Sequence, residues 1–366
     1  MRKLKRDTIH CNLRNIDRYD KMYNFIISAR EYGKSTAIWT KIWKGAVHRH
    51  RPSVVIRRMS IDITEAYVDS IAETINQFLP ENKHIKLYYK KGAIKEGTCD
   101  VFLDKNYKHQ ICRIVALNVP KSRMKSLILR DPYLCLFDEY IIDTMEGEKY
   151  LPDEINRFKD LYNTYYRHAA KYGHKMKCYF MGNPYTVFSP YHLWLKIPLN
   201  EIYEGCKIIG QDFYFECAKL SEELKEHILK VNPLYKFDDT YTRYAFGAQA
   251  VNDDRFTIVD KRPDNYYLKF IFKIDKRYVY VWQNNGSNPY DLYKGKFWIE
   301  SSTDSINTRV PILAIDFNNL TEGTRLWLPE MKGAVLMLKF AISRRDVTYR
   351  SVEAGYYIQE IYKVLK

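Results

Sequence analysis

Two short motifs in the sequence carry residues suited to phosphate chemistry. The first is the loop SAREYGKST, in which Gly33 would let the backbone approach a phosphate closely. Lys34 could reach the β- and γ-phosphate oxygens of a nucleotide, and the hydroxyl of Ser35 is a ligand that Mg²⁺ accepts. The motif predicts an ATP site made by the consecutive residues Ser28, Ala29, Arg30, Glu31, Tyr32, Gly33, Lys34, Ser35 and Thr36.

The loop departs from the pattern G-x-x-x-x-G-K-[ST] at its first position, where Ser28 replaces glycine. An ordinary basic turn before a helix is the alternative interpretation. The flanks favour phosphate binding. Tyr23–Ile27 is an apolar run long enough for a buried strand, and Ile38 and Ile42 share one face of the helix predicted after the loop. A strand, a tight loop and a helix in this order are the context that a P-loop requires.

The second motif is an apolar run that ends in two acids, Asp138 and Glu139. We interpret Tyr133–Phe137 as a short buried strand and the two acids as a Walker B motif. Asp138 would hold Mg²⁺ through water, and Glu139 would orient and activate the attacking water. A strand that ends in two acids is common by itself. Its position about a hundred residues after a P-loop is typical of P-loop ATPases.

Two further positions could act in the same reaction. Arg167 lies near the end of a helix predicted over Pro152–Ala170, where a cation is favourable beside the helix dipole in any case. Its functional interpretation is an arginine finger. Gly182 and Asn183 follow a strand predicted at Lys177–Met181, and a polar residue at the tip of this strand can sense the γ-phosphate.

The elements around these motifs alternate between strand and helix, with another strand predicted from Ser53 to Arg58. This alternation predicts an α/β fold with a doubly wound, mainly parallel sheet, as in P-loop NTPases of the ASCE type. Ligands of such sheets bind at the carboxyl ends of the strands. The ATP site is therefore expected at that edge.

The pattern changes in the second half of the chain. Lys219–Val231 looks helical, with Ser221 as a plausible N-cap. After it the sequence becomes rich in strand patterns, of which Tyr266–Ile274 alternates between apolar and polar residues. We expect a P-loop ATPase domain over 1–212, a helical linker element over 213–252 and a smaller α+β domain over 253–366.

Composition limits the class of protein. The 366 residues are 46% hydrophobic and 28% charged, which excludes a low-complexity or disordered chain. A net charge of +15 usually faces nucleic acid or an anionic membrane surface. No apolar run approaches the ~18 residues of a spanning helix, so we expect no membrane partner. The seven scattered cysteines form no CxxC pair and indicate free thiols in a reducing cytoplasm.

The front half of the sequence resembles the DNA-packaging ATPases of small tailed phages of the phi-twenty-nine type, which are terminase-like viral motors. The matching stretches are YDKMYNFIISAREYGKS, VVIRRMS, ALNVPKSRMKS, LCLFDEY, YYRH and CYFMGNP. Members of this family tolerate a missing first P-loop glycine and carry an arginine inside the loop. Ser28 and Arg30 therefore fit the resemblance.

The resemblance implies an ATP-driven motor that translocates double-stranded DNA into a viral procapsid, with ATP and Mg²⁺ bound. It implies Glu139 as the catalytic glutamate and Gly182–Asn183 as the coupling motif. Arg167 would be the finger that acts on the ATP of a neighbouring subunit, and Arg30 is the other candidate arginine. Lys125, in the lysine-serine stretch, is a candidate for reaching across the subunit interface.

The implied partners are double-stranded DNA, sister subunits in a ring that is pentameric in the family, and the capsid portal. A structural packaging RNA is a further candidate, and the implied location is the host cytoplasm, transiently at the portal vertex. The resemblance also implies an RNase H-like domain at the C-terminus. Nuclease chemistry needs carboxylates that converge on two metal ions. Tyr266–Ile274 contains no acid and Asp275 falls at its end, so we expect a vestigial domain that grips DNA or docks on the portal without cutting.

Three other functions stay open at the sequence level. A large terminase with an active nuclease would nick DNA in the presence of metal. Another P-loop motor, such as a helicase or a partition ATPase, would differ in how it moves on or separates its strands. A non-catalytic nucleic-acid-binding protein with a degenerate P-loop would show no ATPase activity stimulated by DNA.

Overall fold

The computed structural model describes residues 10–90, 97–120, 128–142, 150–185, 189–231, 257–274, 277–284, 297–306, 308–315, 319–326, 332–344 and 346–364. Two compact units divide the chain, Met1–Asn252 and Asp253–Lys366. Lys125 and Asp275 lie outside the described residues, so the predictions made for them stay predictions.

A nine-stranded sheet forms the centre of the first unit, in the order β3-β4-β5-β2-β6-β7-β1-β9-β8. The run from β5 to β9 is parallel throughout, and the outer strands β3, β4 and β8 are antiparallel to their neighbours. This confirms the predicted doubly wound, mainly parallel sheet. The strands are β1 Tyr23–Ser28, β2 Ser53–Arg57, β3 Tyr88–Tyr89, β4 Thr98–Phe102, β5 Gln110–Ala116, β6 Leu134–Asp138, β7 Lys177–Gly182, β8 Lys207–Ile209 and β9 Phe213–Ala218.

Helices cover this sheet and bury their apolar faces against it. In Lys34–Arg49, which follows the P-loop, Ile38, Trp39 and Ile42 are buried at helical spacing. The other α-helices described in this unit are Leu13–Asp17, Glu65–Asn76, Glu154–Ala170, Pro190–Trp194 and Glu222–Val231, and single 3₁₀ turns occur at Ser60–Asp62, Glu81–Lys83 and Leu199–Glu201. A cluster of rings fills the core between the central strands and two of these helices, and its members are Phe25, Phe137, Tyr140, Phe158, Phe180, Tyr191 and His192.

The start of the predicted linker element at residue 213 is wrong. Phe213–Ala218 is strand β9, which pairs in parallel with all of Tyr23–Ser28 and therefore belongs to the sheet of the first unit. Its FYFECA sequence buries five of six residues beside β1. The helix of the predicted linker begins at Glu222, and the Ser221 hydroxyl accepts a hydrogen bond from the Leu224 N–H at 3.2 Å, as an N-cap does.

The described residues of the second unit form two helices and a mixed sheet with the strand order β10-β16-β13-β12-β11-β14-β15. Strands β11, β12 and β13 form an antiparallel meander, and β14 and β15 extend it in parallel on the β11 side. The elements are β10 Thr257–Ile258, β11 Tyr266–Ile274, β12 Arg277–Asn284, β13 Phe297–Ser302, β14 Ile312–Ala314, β15 Thr324–Leu326, β16 Val347–Tyr349 and the helices Lys332–Ser343 and Val352–Val364.

The helices in the described part of the chain are all too short or too polar to span a membrane.

Candidate ATP-binding and hydrolysis site

A cavity of about 740 Å³ opens above the P-loop of the first unit. It lies at the N-terminus of a sixteen-residue helix, where free backbone N–H groups and the helix dipole favour an anion. Its volume is in the range of pockets that hold ligands of drug size. The lining residues are His10, Cys11, Arg30, Glu31, Tyr32, Gly33, Lys34, Ser35, Thr36, Ala37, Thr74, Gln77 and Asn183.

The predicted ATP-binding stretch divides between the cavity wall and its support. Arg30 through Thr36 line the cavity, whereas Ser28 and Ala29 are buried beneath it. His10, Cys11, Thr74 and Gln77 also line it, and the sequence did not single them out. His10 and Cys11 reach the cavity because the N-terminal segment folds back on the loop, where the Cys11 N–H donates to the Tyr32 carbonyl at 2.9 Å. Thr74 and Gln77 come from the helix Glu65–Asn76 and its C-cap.

Gly33 is required by the backbone at the end of the loop. Its φ of +80° lies in the left-handed region, which side chains with a Cβ adopt at a cost. A Cβ built there would also lie 3.3 Å from the Cβ of His10. The loop therefore closes tightly at the point where the phosphate-binding pattern places its second glycine.

Lys34 lies at the centre of a hydrogen-bond cluster. Its ammonium donates to the carbonyl and the hydroxyl of Ser28 at 2.8 and 2.7 Å, to the carbonyl of Ala29 at 3.2 Å and to the side-chain oxygen of Asn183 at 3.3 Å. The serine that replaces the first glycine of the pattern thus holds the lysine. Burial lowers the pKa of Lys34 to about 8, and the charge of Asp138 opposes this effect.

Asp138 and Glu139 are held by a residue that the sequence did not single out as functional. Arg57, at the end of β2, donates to Asp138 at 3.0 Å and to Glu139 at 2.7 Å. The Tyr67 hydroxyl donates to the same Asp138 oxygen at 2.9 Å. Burial is the largest influence on the Asp138 carboxyl and raises its pKa, whereas Arg57 opposes the rise. The two predicted acids are thus brought together under one guanidinium.

The next residue, Arg58, fixes the backbone of the same motif. It donates to the carbonyls of Glu139 and Tyr140 at 3.1 and 2.6 Å and forms a buried ion pair with Glu154. The Tyr191 hydroxyl donates to Glu154 at 2.9 Å, which completes the buried network. Glu139 itself has a φ of +56°, an uncommon value outside glycine that functional sites often show.

The tip of β7 reaches both cations of the P-loop. Asn183 accepts from Lys34, and two residues later the Tyr185 hydroxyl accepts from the Arg30 guanidinium at 3.1 Å. The Asn183 amide lies 3.5 Å from the same hydroxyl. A Cβ on Gly182 would come within 3.0 Å of the Tyr140 ring, so the strand tip also packs against the segment after Glu139. The structure brings the predicted coupling residues to the P-loop.

Arg167 lies away from this cavity. Its helix begins at Glu154, beside the carboxyl end of β2, and Arg167 is thirteen residues further, roughly 20 Å along the helix axis at 1.5 Å per residue. That end of the helix leads into the beginning of β7, at the opposite edge of the sheet. The Arg167 side chain is exposed there, out of reach of the P-loop of its own chain.

Replacing Arg57 by methionine should destabilise the protein by about 3–5 kcal/mol near neutral pH, because a buried carboxylate loses its partner. The substitution raises the pKa of Asp138 further, so the loss grows as the pH rises and shrinks in acidic buffer, where Asp138 is protonated in both states. Urea titrations at both pH values measure it. Arg167→Met, at an exposed site, should change stability by no more than about 0.5 kcal/mol. An equal loss at both pH values would refute the role of Arg57 as the counter-ion of Asp138.

Tyr185→Phe removes only the hydroxyl that accepts from Arg30. We expect ATP turnover to fall roughly 10-fold, which corresponds to about 1.5 kcal/mol, the low end for a lost hydrogen bond to a charged group because this contact is exposed. In an Arg30→Met background the same change should have no further effect, since Tyr185 acts through Arg30. Tyr203→Phe, on an exposed tyrosine elsewhere, is the control. If the two losses simply multiply in the double variant, the hydroxyl does not work through the arginine.

Two kinds of comparison with known proteins cover most of the chain, one of its sequence and one of its fold. The sequence matches the family described as podovirus DNA encapsidation protein (Gp16) over residues 6–341. The fold is similar to a chain of the bacteriophage Phi-29 viral genome packaging motor assembly, with 16% identity, 98% of this chain and 100% of that chain covered, and a TM-score of 0.65.

The fold is also similar to the Phi-28 gp11 DNA packaging motor, with 13% identity, 97% of each chain covered and a TM-score of 0.61. No curated protein matches the sequence. The two likenesses concern the fold of both units, whereas the family match rests on the sequence itself and spans most of it. The chain therefore belongs to the podovirus DNA encapsidation protein family.

Proposed function

We propose that this protein is an ATPase that drives double-stranded DNA into a viral procapsid. The observation that carries the proposal is the meeting of three strand ends around one lysine. Lys34 follows β1, Asn183 at the tip of β7 accepts its hydrogen bond at 3.3 Å, and Asp138 at the end of β6 pairs in register with Met181, two residues before Asn183. A P-loop and a polar sensor at one cavity, with an acidic pair at the end of the neighbouring strand β6, are the parts that ATP hydrolysis needs, and encapsidation is the function of the family.

Each side chain then has one task in the reaction. Lys34 and the N–H groups of the loop bind the β- and γ-phosphates. Glu139 orients the attacking water and draws its proton. Asn183 touches Lys34 directly, so it can report whether a γ-phosphate has drawn the lysine away.

Mg²⁺ fits the oxygen donors at this cavity. Ser35 lines the cavity at the first turn of the helix, and Asp138 presents a carboxylate at the end of β6, the strand beside β7. These two residues would hold the ion, which would offset the negative charge on the phosphates. Arg57 and Tyr67 both donate to the same oxygen of Asp138, so Mg²⁺ would take the other oxygen of this carboxylate.

Arg167 fits a role in trans. Its helix places it at the edge of the sheet away from its own P-loop, so a contact with a γ-phosphate requires a second subunit. We therefore propose a ring in which one subunit supplies Arg167 to the site of the next. Arg30, which lines the cavity of its own chain, would contact the phosphates in cis. A pentameric ring, the portal and a packaging RNA stay proposals that rest on the family resemblance.

The second unit is proposed to hold DNA or the portal without cutting DNA. Its first long strand, β11, carries no acid. Glu300 on β13 is already engaged, since it accepts from the Trp282 indole at 3.0 Å and from Arg350 at 2.9 Å. Within the part of the chain that the structure describes, no three carboxylate, histidine or cysteine side chains come together in a way that could hold a metal ion. Nicking of supercoiled plasmid that is lost in Glu300→Gln would restore the nuclease alternative.

The proposed function predicts ATP hydrolysis that double-stranded DNA stimulates. Lys34→Ala should weaken binding and abolish turnover, because a phosphate contact is lost. Glu139→Gln should bind ATP and retain it unhydrolysed, since the amide cannot take a proton from water. Nucleotide binding by filter assay and phosphate release, each with and without DNA, separate the two defects. Turnover near the wild-type rate in Glu139→Gln, or no response to DNA in the wild type, would contradict the assignment.

The trans role of Arg167 predicts complementation in mixed rings. Arg167→Ala alone should lose about 10³–10⁵ in rate, the range measured for arginine fingers in other phosphoryl-transfer enzymes. Mixing it with Glu139→Gln subunits creates interfaces that pair an intact Glu139 with a neighbour's intact Arg167, so part of the activity should return. Native mass spectrometry reports whether mixed rings form. Mixed rings without recovered activity would exclude the trans role and favour Arg30.

A further inference from the structure

A hairpin tip in the first unit projects a run of exposed polar residues. The tip connects β4 to β5, and Lys105, Asn106, Tyr107, Lys108 and His109 are all exposed. Because β5 runs parallel to β2 and β6, its first residue lies at the edge of the sheet opposite the nucleotide cavity. No task in ATP hydrolysis therefore accounts for this tip.

The tip is organised by one carboxylate that points inward. Asp104 accepts from the backbone N–H groups of Asn106, Lys108 and His109 at 3.0, 3.2 and 2.7 Å. The Nδ1 atom of His109 lies 3.0 Å from the same carboxylate. Tyr107 takes a φ of +56° within the turn, and its N–H donates to the Asp104 carbonyl at 3.2 Å. The Asp104 carboxylate therefore makes its hydrogen bonds within the tip and holds the turn in one conformation.

The outward charge of the tip is positive. Lys105 and Lys108 are exposed, and neither forms an ion pair with a residue that the structure describes. The Lys90 ammonium lies 5.3 Å from the centre of the Tyr107 ring, which also packs edge-on against Phe102 at 5.2 Å. Tyr107 stays 40% exposed, so a flat apolar surface lies beside the ammonium groups.

We propose that this tip, Asp104–His109 together with Lys90, binds the sugar-phosphate backbone of a nucleic-acid duplex. Ammonium groups on a preset loop suit phosphates spaced along a strand, and the ring of Tyr107 can pack on a sugar. The tip offers no bidentate base reader such as arginine, so its binding does not depend on base sequence. The assignment rests on the proposed function, because that function supplies the duplex.

The first test measures how salt changes duplex affinity. Each lysine that contacts a phosphate contributes roughly one to the slope of log affinity against log salt. Lys105→Ala/Lys108→Ala should therefore flatten the slope by about two in anisotropy titrations with a labelled duplex. The control is Lys196→Ala/Lys219→Ala, which removes the same charge from exposed positions elsewhere in the unit. An equal effect in both pairs, or no effect in the tip pair, would overturn the proposal.

The second test separates organisation from charge. Asp104→Ala makes the protein more positive by one charge, so general attraction alone predicts tighter binding. We expect weaker binding, because the tip loses the acceptor of three backbone N–H groups and no longer presents its lysines in one arrangement. Tighter or unchanged binding, with circular dichroism that shows a folded protein, would count against a preset tip.

Two further measurements identify the duplex that binds and check that the nucleotide site is unaffected. Duplex DNA and duplex RNA of equal length are compared, and a loss on one alone names the duplex that the tip holds, whereas no loss on either overturns the assignment. ATP turnover without nucleic acid should be the same in the tip variant and the wild type. If the wild type binds no duplex at all, the proposed function fails. If the wild type and the tip variant bind equally, only the tip assignment fails.

Discussion

The site depends on two consecutive arginines at the end of β2. Arg57 holds the side chains of Asp138 and Glu139, and Arg58 holds the carbonyls that follow them and a buried glutamate behind them. Arg58 and Glu154 are buried and Arg57 and Asp138 are partly buried, whereas Glu139 is exposed. Charges withdrawn from water in this way are favourable only when they are paired, and removing one partner leaves the other without compensation. The acidic motif is therefore not a free strand end. It is the outer layer of an ionic network that extends into the domain.

The P-loop is the point where three parts of the unit meet. Lys34 contacts the tip of β7 through Asn183, and the cavity wall includes the N-terminal segment. On its other side, Ala29 packs with Leu224 and Ile228 of the helix Glu222–Val231, with Tyr32 against the same cluster. A phosphate that draws Lys34 toward it would disturb the contact with β7 first. A shift of the loop would also change the packing contacts of this helix. In the sequence, the helix directly precedes the segment that leads to the second unit.

The sequence was sufficient where local pattern and chemistry agree. The strand at Tyr23–Ile27, the glycine before Lys34 and the acids after an apolar strand were predicted because each depends on neighbours a few residues away. Other features depend on distant partners. Arg57 meets Asp138 across 81 residues, so no spacing rule could assign its role. Phe213–Ala218 is a strand because it lies beside β1, and its short run before a helical pattern did not indicate that pairing.

The outermost strands of the nine-stranded sheet have a consequence for assembly. β3 and β8 are two and three residues long, and each runs antiparallel to its neighbour. A long edge strand presents unpaired N–H and C=O groups with which a strand of another chain can pair, whereas such short edge strands offer few of them. Copies of this domain that gather around a common axis would therefore touch through side chains and loops. Such contacts can break and re-form separately. Neighbouring copies could therefore tilt against each other without breaking the hydrogen bonds within either sheet.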